Sequence, residues 1–341
     1  MTQTMKRWQM TATGRTHLQL VDVQRPEPAP GDILVKVSAV ALNYRDKLVI
    51  ESGMGLELGF PFTPASDLAG SVVATGAGVQ RFRVGDRVIS TFAPGWFEGD
   101  PAGNARVPPY RTLGGAYSGV LAEYVAFPED WFVRAPASLD DMDACTLPCA
   151  GLTAWFALVE TGRIHAGQTV LVEGTGGVAL FGLQIAKAHG ARVLVVTGGA
   201  EKGQRAQALG ADHVIDRHNE DWVEAVWRLT GERGADHILE IVGGAHLGKA
   251  LQAVAVGGRI SMIGVLGGFE FSGPAGALLL KTPTIQGISV GHRRALEDLV
   301  SAVDRTGLKP VIDRRYGLGE LSAALDHLDR GPFGKVVIDL R

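Results

Sequence analysis

One short stretch limits the architecture more than any other: Val170-Leu171-Val172-Glu173-Gly174-Thr175-Gly176-Gly177-Val178-Ala179. It reads as an apolar strand, a G-x-G-x-x-A turn and the start of a helix. Gly174 permits the tight turn, Gly176 lets the backbone approach a pyrophosphate, and Ala179 lets the helix pack closely on a sheet. Thr175, Gly177 and Val178 complete the loop, and the helix N-terminus turns unsatisfied N–H groups and a partial positive charge toward phosphate. A lone glycine turn often serves only packing. At a strand-to-helix junction followed by further βα units, this one is expected to hold a dinucleotide.

The texture around the stretch agrees. From about Leu152 strand and helix patterns alternate: Thr169–Glu173, a helix bearing Val178, Phe181, Ile185 and Ala188, Val193–Thr197, a helix around Gln204–Leu209, His213–Asp216, and a helix around Trp222–Leu229. Strand patterns at Ile238–Val242, Arg259–Gly264 and Ile285–Val290 complete the series. Such alternation predicts an α/β, doubly wound parallel sheet. Before about Pro136 the pattern is different, with short β-rich runs such as Asp32–Val37, Gly70–Ala74 and Arg87–Ser90 between Gly and Pro. After a helix near Leu321–Leu328, Gly334–Leu340 reads as a strand returning to that first, β-rich domain. The expected division is therefore a cofactor domain over 149–289, inserted in a discontinuous domain made of 1–148 and 290–341.

Composition narrows the class. A formal net charge of -3 gives no electrostatic reason to expect nucleic acid or an anionic membrane as partner. Cys145 and Cys149 are the two cysteines and do not form a secreted disulfide framework. No apolar run approaches the roughly 20 residues of a spanning helix, and Met1–Met10 lacks a signal-peptide apolar core, so a cytoplasmic enzyme is the default expectation. The 46 glycines are about twice the usual share. Several fall in Gly-Gly pairs where backbone can come close to a ligand.

A site for NAD usually carries an acid at the end of the second strand, about 20 residues past the glycines, to hold the ribose 2′-hydroxyl. Here that strand ends Val195-Val196-Thr197-Gly198-Gly199-Ala200-Glu201-Lys202. Thr197 replaces the acid, the glycines leave room for a phosphate, and Lys202 and Arg205 supply positive charge. NADPH is expected over NADH. The alternative is that Glu201 reaches the ribose and the basic residues form a solvated helix face.

Several further segments carry a resemblance: Val35-Lys36-Val37-Ser38-Ala39, Leu42-Asn43-Tyr44-Arg45-Asp46, Val84-Gly85-Asp86-Arg87-Val88, Leu121-Ala122-Glu123-Tyr124 and the terminal Gly334-Lys335-Val336-Val337. Together with the glycine turn, and in order along nearly the whole chain, they resemble the medium-chain dehydrogenase/reductase family. The resemblance implies a GroES-like catalytic domain and a Rossmann dinucleotide-binding domain. Zinc-dependent members hold their catalytic metal at positions that match Asn43, Ser66 and Cys149 here. One amide, one hydroxyl and one thiol are not the N/S-rich set that zinc prefers. Residues 93–115 contain no cysteine, so the four-cysteine zinc lobe is missing too. No zinc or other metal is therefore expected in the chain.

Members without zinc are similar to quinone oxidoreductases and enone reductases, whose acceptors delocalise the incoming charge. The expected reaction is hydride transfer from NADPH to a small quinone or α,β-unsaturated carbonyl compound. A ketone reductase or alcohol dehydrogenase and a non-catalytic nucleotide-binding protein are the alternatives. The resemblance makes Asn43, Tyr44, Arg45 and Thr153 the catalytic candidates. Asn43 would orient ribose or substrate, Tyr44 would donate a proton, and Arg45 would stabilise an enolate; each has a turn-building or packing role as its alternative. Asp67 would sit beside the metal position and pair with a base such as Lys335. Val242-Gly243 and Gly264-Val265-Leu266, at the carboxyl ends of later strands, are expected to hold ribose and carboxamide. Arg293 would contact cofactor phosphate or solvent. The loop aromatics Phe92, Trp96, Phe97 and Tyr110 would line an apolar pocket or cap the core. A homodimer paired through the strand near Thr284–Val290 is also what the resemblance suggests.

Overall fold

Runs of Val, Ile, Leu and Ala too short for helices make the first part of the chain a sheet. In the computed structural model, which describes residues 3–107 and 109–341, the chain packs as two units. One is Met1–Leu152 with Gly291–Arg341, the other Thr153–Val290. The first begins with β1 (Thr4–Met10), β2 (Leu18–Gln24), β3 (Asp32–Leu42), α1 (Tyr44–Ser52), β4 (Asp67–Thr75), β5 (Arg87–Ser90), β6 (Tyr124–Pro128), β7 (Phe132–Arg134) and α2 (Asp141–Ala144). A helical stretch containing α3 (Leu152–Trp155), with a wider π-type turn on either side, passes into the second unit.

That unit holds β8 (Thr169–Glu173), α4 (Gly177–Ala188), β9 (Arg192–Thr197), α5 (Ala200–Ala208), β10 (His213–Asp216), α6 (Trp222–Thr230), β11 (Ala235–Glu240), α7 (His246–Ala253), β12 (Val254–Met262), α8 (Ala275–Lys281) and β13 (Thr284–Gly287). The chain then returns to the first unit with α9 (Arg293–Thr306), β14 (Ile312–Gly317), α10 (Leu321–Asp329) and β15 (Lys335–Asp339).

In the first unit the strands order as β14-β15-β3-β4-β5-β7, with β6 also on β3. β3 is the spine. It is buried along most of its length because β4, β6 and β15 all pair with it. β15 runs antiparallel to it, Val336 opposite Leu42 and Val337 opposite Ala41, so the tail completes a sheet begun near the N-terminus. That register sets Lys335 beside the residue that starts α1. α1 begins where Asp46 accepts the Asn43 N–H at 2.8 Å, and it stops at Gly53 in the left-handed region. The segment read from sequence as a turn is thus the first turn of a helix.

In the second unit the strand order is β10-β9-β8-β11-β12-β13, and every neighbouring pair is parallel. The chain proceeds outward from β8 to β9 and β10, then crosses back to β11 on the other side. The edge between β8 and β11 is therefore the point where connections diverge and where such sheets bind ligands. α4 buries Leu180, Phe181, Leu183 and Ile185, and α6 buries Trp222, Val223, Ala225 and Val226. Leu171, Leu194, Ile215, Ile238 and Ile260, one from each of five strands, join the core beneath α6 and α7.

The sequence pattern ran β11, β12 and β13 a few residues too far. β11 leaves its ladder at Glu240 because Gly243 and Gly244 have φ of 75° and 59°, and Val290 is itself left-handed at 63°. α7 and α8 were not anticipated; both lack a side-chain cap and carry a glycine, Gly248 and Gly276, inside a short apolar run. No helix among the described residues is long and apolar enough to cross a membrane.

Candidate active site

At the end of β8 the glycines leave an open cradle. Gly174 has φ of 86° and donates its N–H to Val196 O at 2.6 Å. Gly176 is the cap of α4, and a side chain there would find no atom within 4 Å. Thr175 is buried, Val178 half-buried and Ala179, in the first turn of α4, fully buried. No side chain caps α4, so its first N–H groups face the place a phosphate would take.

β9 delivers Thr197, 2% exposed, opposite Asp216 of β10. The parallel register sets the ends of these strands side by side. A Cβ added at Gly198 would lie 2.7 Å from His218 Nε2 and 3.2 Å from the Arg217 guanidinium. Asp216 is turned inward on its own loop, accepting from His218 N at 3.1 Å and Asn219 Nδ2 at 2.9 Å. Lys202, half-buried, and Arg205, exposed, follow on α5. Arg217 and His218 escaped the sequence reading because only the pairing of β9 with β10 brings them to Gly198.

Past β11, Val242 and Gly243 donate to Glu240 Oε1 at 2.8 Å each. Gly243 and Gly264 lie back to back: a Cβ on Gly243 would be 2.5 Å from Gly264 O, and one on Gly264 only 1.8 Å from Ile241 O. Val265 is half-buried and Leu266 exposed. Beside them Glu173, Glu240 and His246 converge, with Glu173 far in sequence from the other two. Burial, with Glu240 nearby, raises the Glu173 carboxyl to about 8. Burial opposes charge on His246, but its two carboxylate partners outweigh this and raise it to about 10. Thr153, on α3, is 3% exposed.

The first unit gathers a buried polar cluster. Lys335 Nζ donates to Leu42 O at 2.7 Å and to Asn43 Oδ1, while Asn43 Nδ2 is buried without a partner. Asp67 accepts from Ser66 Oγ at 2.5 Å and from Cys149 N at 3.0 Å. Burial raises Asp67 to about 6, with the positive charge of Lys335 working against the rise. Burial, and then Asp67, push the Cys149 thiol far up. Arg45 donates to Tyr110 Oη at 3.2 Å, to Leu113 O at 2.9 Å and to Thr112 Oγ1, and its guanidinium lies over the Phe92 ring. Tyr44 is 38% exposed on the first turn of α1. Arg293 opens α9, bound to Asp130 at 2.7 Å and stacked over Phe97, while Trp96 meets His292 edge-on. Phe92 is buried against Tyr110.

Comparison with known proteins joins the two halves of this description. Residues 29–137 match the alcohol dehydrogenase GroES-like domain, and residues 177–305 match the zinc-binding dehydrogenase domain. A zinc-type alcohol dehydrogenase-like protein of Schizosaccharomyces pombe is 34% identical over 91% of each chain. The chain belongs to the medium-chain dehydrogenase/reductase family. A quinone oxidoreductase of Rattus norvegicus is 28% identical, covering 93% of this chain and 92% of the relative. A solved structure from Sinorhizobium meliloti 1021, described as a provisional alcohol dehydrogenase, is 65% identical over all of both chains, with a TM-score of 0.97. This medium-chain dehydrogenase/reductase is accordingly a nicotinamide-dependent oxidoreductase with a GroES-like unit and a parallel, Rossmann-type unit.

The open cradle at Gly176 and the uncapped start of α4 fit the nicotinamide dinucleotide the family implies. Zinc fits the corresponding catalytic positions poorly. The Asn43 oxygen is taken by Lys335, the Ser66 hydroxyl is donated to Asp67, and burial holds the Cys149 thiol protonated.

Proposed function

We propose that this oxidoreductase transfers hydride from NADPH to a small quinone or α,β-unsaturated carbonyl compound without a catalytic zinc. The observation that carries this reading is Lys335, whose Nζ occupies Asn43 within the buried polar cluster. Without a Lewis acid, a simple ketone needs strong oriented donors at its oxygen, whereas a conjugated acceptor spreads the charge over several atoms. The nicotinamide supplies the hydride when bound. The acceptor then takes one proton, at the carbon beside the carbonyl of an enone or at the oxygen of a quinone.

Gly174, Thr175, Gly176, Gly177 and Val178 would hold the pyrophosphate, and Val242, Gly243, Gly264, Val265 and Leu266 the nicotinamide half. Lys202 with Arg217 and His218 would hold the 2′-phosphate. What supports the phosphate is the basic pair against Gly198 where an NAD site would carry a ribose-binding acid. Tyr44, with its exposed ring at the start of α1, is the proposed proton donor. Asn43, tied to Lys335, would orient substrate or ribose, and Thr153 would pack near the nicotinamide. Arg45 is saturated by local partners and is a positioning residue that fixes α1 to the loop carrying Tyr110. Arg293 braces the start of α9 through Asp130. The working assembly in this reading is a homodimer.

The test is NADPH oxidation by chelator-treated protein with a benzoquinone and an enone, with NADH, simple ketones and alcohols in parallel. Turnover of the conjugated acceptors without added metal is expected. Replacing Arg217 with Ala should lower kcat/KM for NADPH about tenfold or more and leave NADH nearly unchanged, as the loss of a charge-assisted phosphate contact requires. Activity confined to alcohols or simple ketones would instead establish the alcohol dehydrogenase reading.

A further inference from the structure

The cluster at the ends of β8 and β11 is not used by the reaction proposed above. Glu173 is the last residue of β8, Glu240 the last of β11, and His246 the first of α7. Their ligand atoms all lie within 4.8 Å of one another. His246 Nδ1 is 3.3 Å from Glu173 Oε2 and 3.1 Å from Glu240 Oε2. Ligands bound at about 2.0–2.2 Å around a tetrahedral ion are about 3.3–3.6 Å apart, so the two His246–carboxylate spacings need only a small expansion.

Each side chain is already aimed. Glu240 is 0% exposed, and its Oε1 accepts from the N–H groups of Val242 and Gly243, which leaves Oε2 turned toward His246. The His246 ring is stacked on Trp222, 5.1 Å between centroids. Glu173 is 1% exposed, neither of its oxygens makes a hydrogen bond of good geometry, and its Oε2 is turned toward the His246 ring. A buried carboxylate without hydrogen bonds is costly, and among the described residues the counter-charge the two glutamates share is one imidazole. A divalent ion with two carboxylates and a neutral imidazole brings the site to zero charge. The backbone N–H groups and Trp222 then act as the outer shell that fixes the ligands.

We propose that Glu173, Glu240 and His246 form a structural divalent-cation site in the dinucleotide-binding unit. Two carboxylate oxygens and one imidazole nitrogen suit Zn2+, with water completing the shell. The site is separate from Asn43, Ser66 and Cys149, and it would tie the strand end that begins the glycine turn to α7.

The experiment is Zn2+ titration of the full-length, chelator-stripped protein by calorimetry in a non-chelating buffer, with Co2+ absorption spectra recorded in parallel. One equivalent should bind, and the thermal midpoint should rise with zinc concentration. Glu173→Gln and His246→Gln, each checked for fold by circular dichroism, should weaken binding at least about tenfold, while Cys149→Ser leaves it unchanged. Absence of stoichiometric binding to the wild-type chain overturns the proposal. So does wild-type affinity in both cluster variants, or affinity that falls with Cys149→Ser. No turnover is measured, so these outcomes are independent of whether the reductase reading holds.

Discussion

Single glycines here do opposite jobs, and substitution separates them. Gly176 has ordinary extended backbone, φ of -77° and ψ of -177°, and open space where a side chain would go. Gly176→Val should therefore fold with less than about 1 kcal/mol lost, while filling the space meant for phosphate. Its dissociation constant for NADPH, followed by nucleotide fluorescence, should rise at least about thirtyfold, the equivalent of about 2 kcal/mol. Gly264 is the reverse case. Its added methyl would overlap the Ile241 carbonyl at 1.8 Å, and backbone cannot move aside as a side-chain end can. Gly264→Ala should cost about 2–4 kcal/mol in urea denaturation before any ligand is added. If Gly176→Val unfolded as readily as Gly264→Ala, the cradle would be a packing feature and not a binding one.

At the scale of elements, β11 carries a pH-dependent weakness. His237 is 4% exposed, its Nε2 lies 3.1 Å from Gln168 Oε1 across to the loop before β8, and its Nδ1 is buried without a partner. Nε2 therefore carries the proton of the neutral ring, and a second proton would be stranded on Nδ1. Burial first, with Arg259 and His165 adding to it and Asp236 opposing, lowers the ring to about 4 from 6.5. A lowered folded value means that the unfolded chain binds the proton first. The stabilisation is complete above 6.5 and is lost as pH falls toward 4. Its size is on the order of 2–3 kcal/mol. His237→Leu should flatten urea stability across that interval, and an unchanged slope would show that the ring takes its proton without cost.

The same elements show what was legible in sequence. β5, β8 and β10 begin and end where the sequence pattern does, because each is a short strand bounded by polar or turn residues. The glycine cradle was legible because one continuous segment builds it. Lys335 against Asn43, Arg217 and His218 against Gly198, and the Glu173, Glu240 and His246 cluster were not read as sites. Each depends on strand register between distant segments, and no local spacing encodes that.

For the whole molecule, the distribution of exposed apolar surface argues about assembly. Leu266, Phe269, Phe271, Leu278, Leu279 and Leu280 are all exposed, Leu280 at 83%. They lie in the segment that leads into β13, which ends its sheet and pairs on one side only, with β12. An unpaired strand edge beside a run of exposed leucines and phenylalanines is a place where a soluble chain either associates or aggregates. A second copy related by a two-fold axis meets both needs at once. Antiparallel pairing of β13 with its own copy continues the sheet, and self-association lets the same leucines cover one another. The chain is therefore expected to sediment as a dimer at micromolar concentration. Leu279→Asp combined with Leu280→Asp should weaken that association at least about thirtyfold, as loss of a central apolar contact does. Both positions are exposed in the single chain, so the variant should keep its fold by circular dichroism and its NADPH affinity. A wild-type monomer at all accessible concentrations would leave the apolar segment without this explanation. A dimer unmoved by both aspartates would place the interface on another surface.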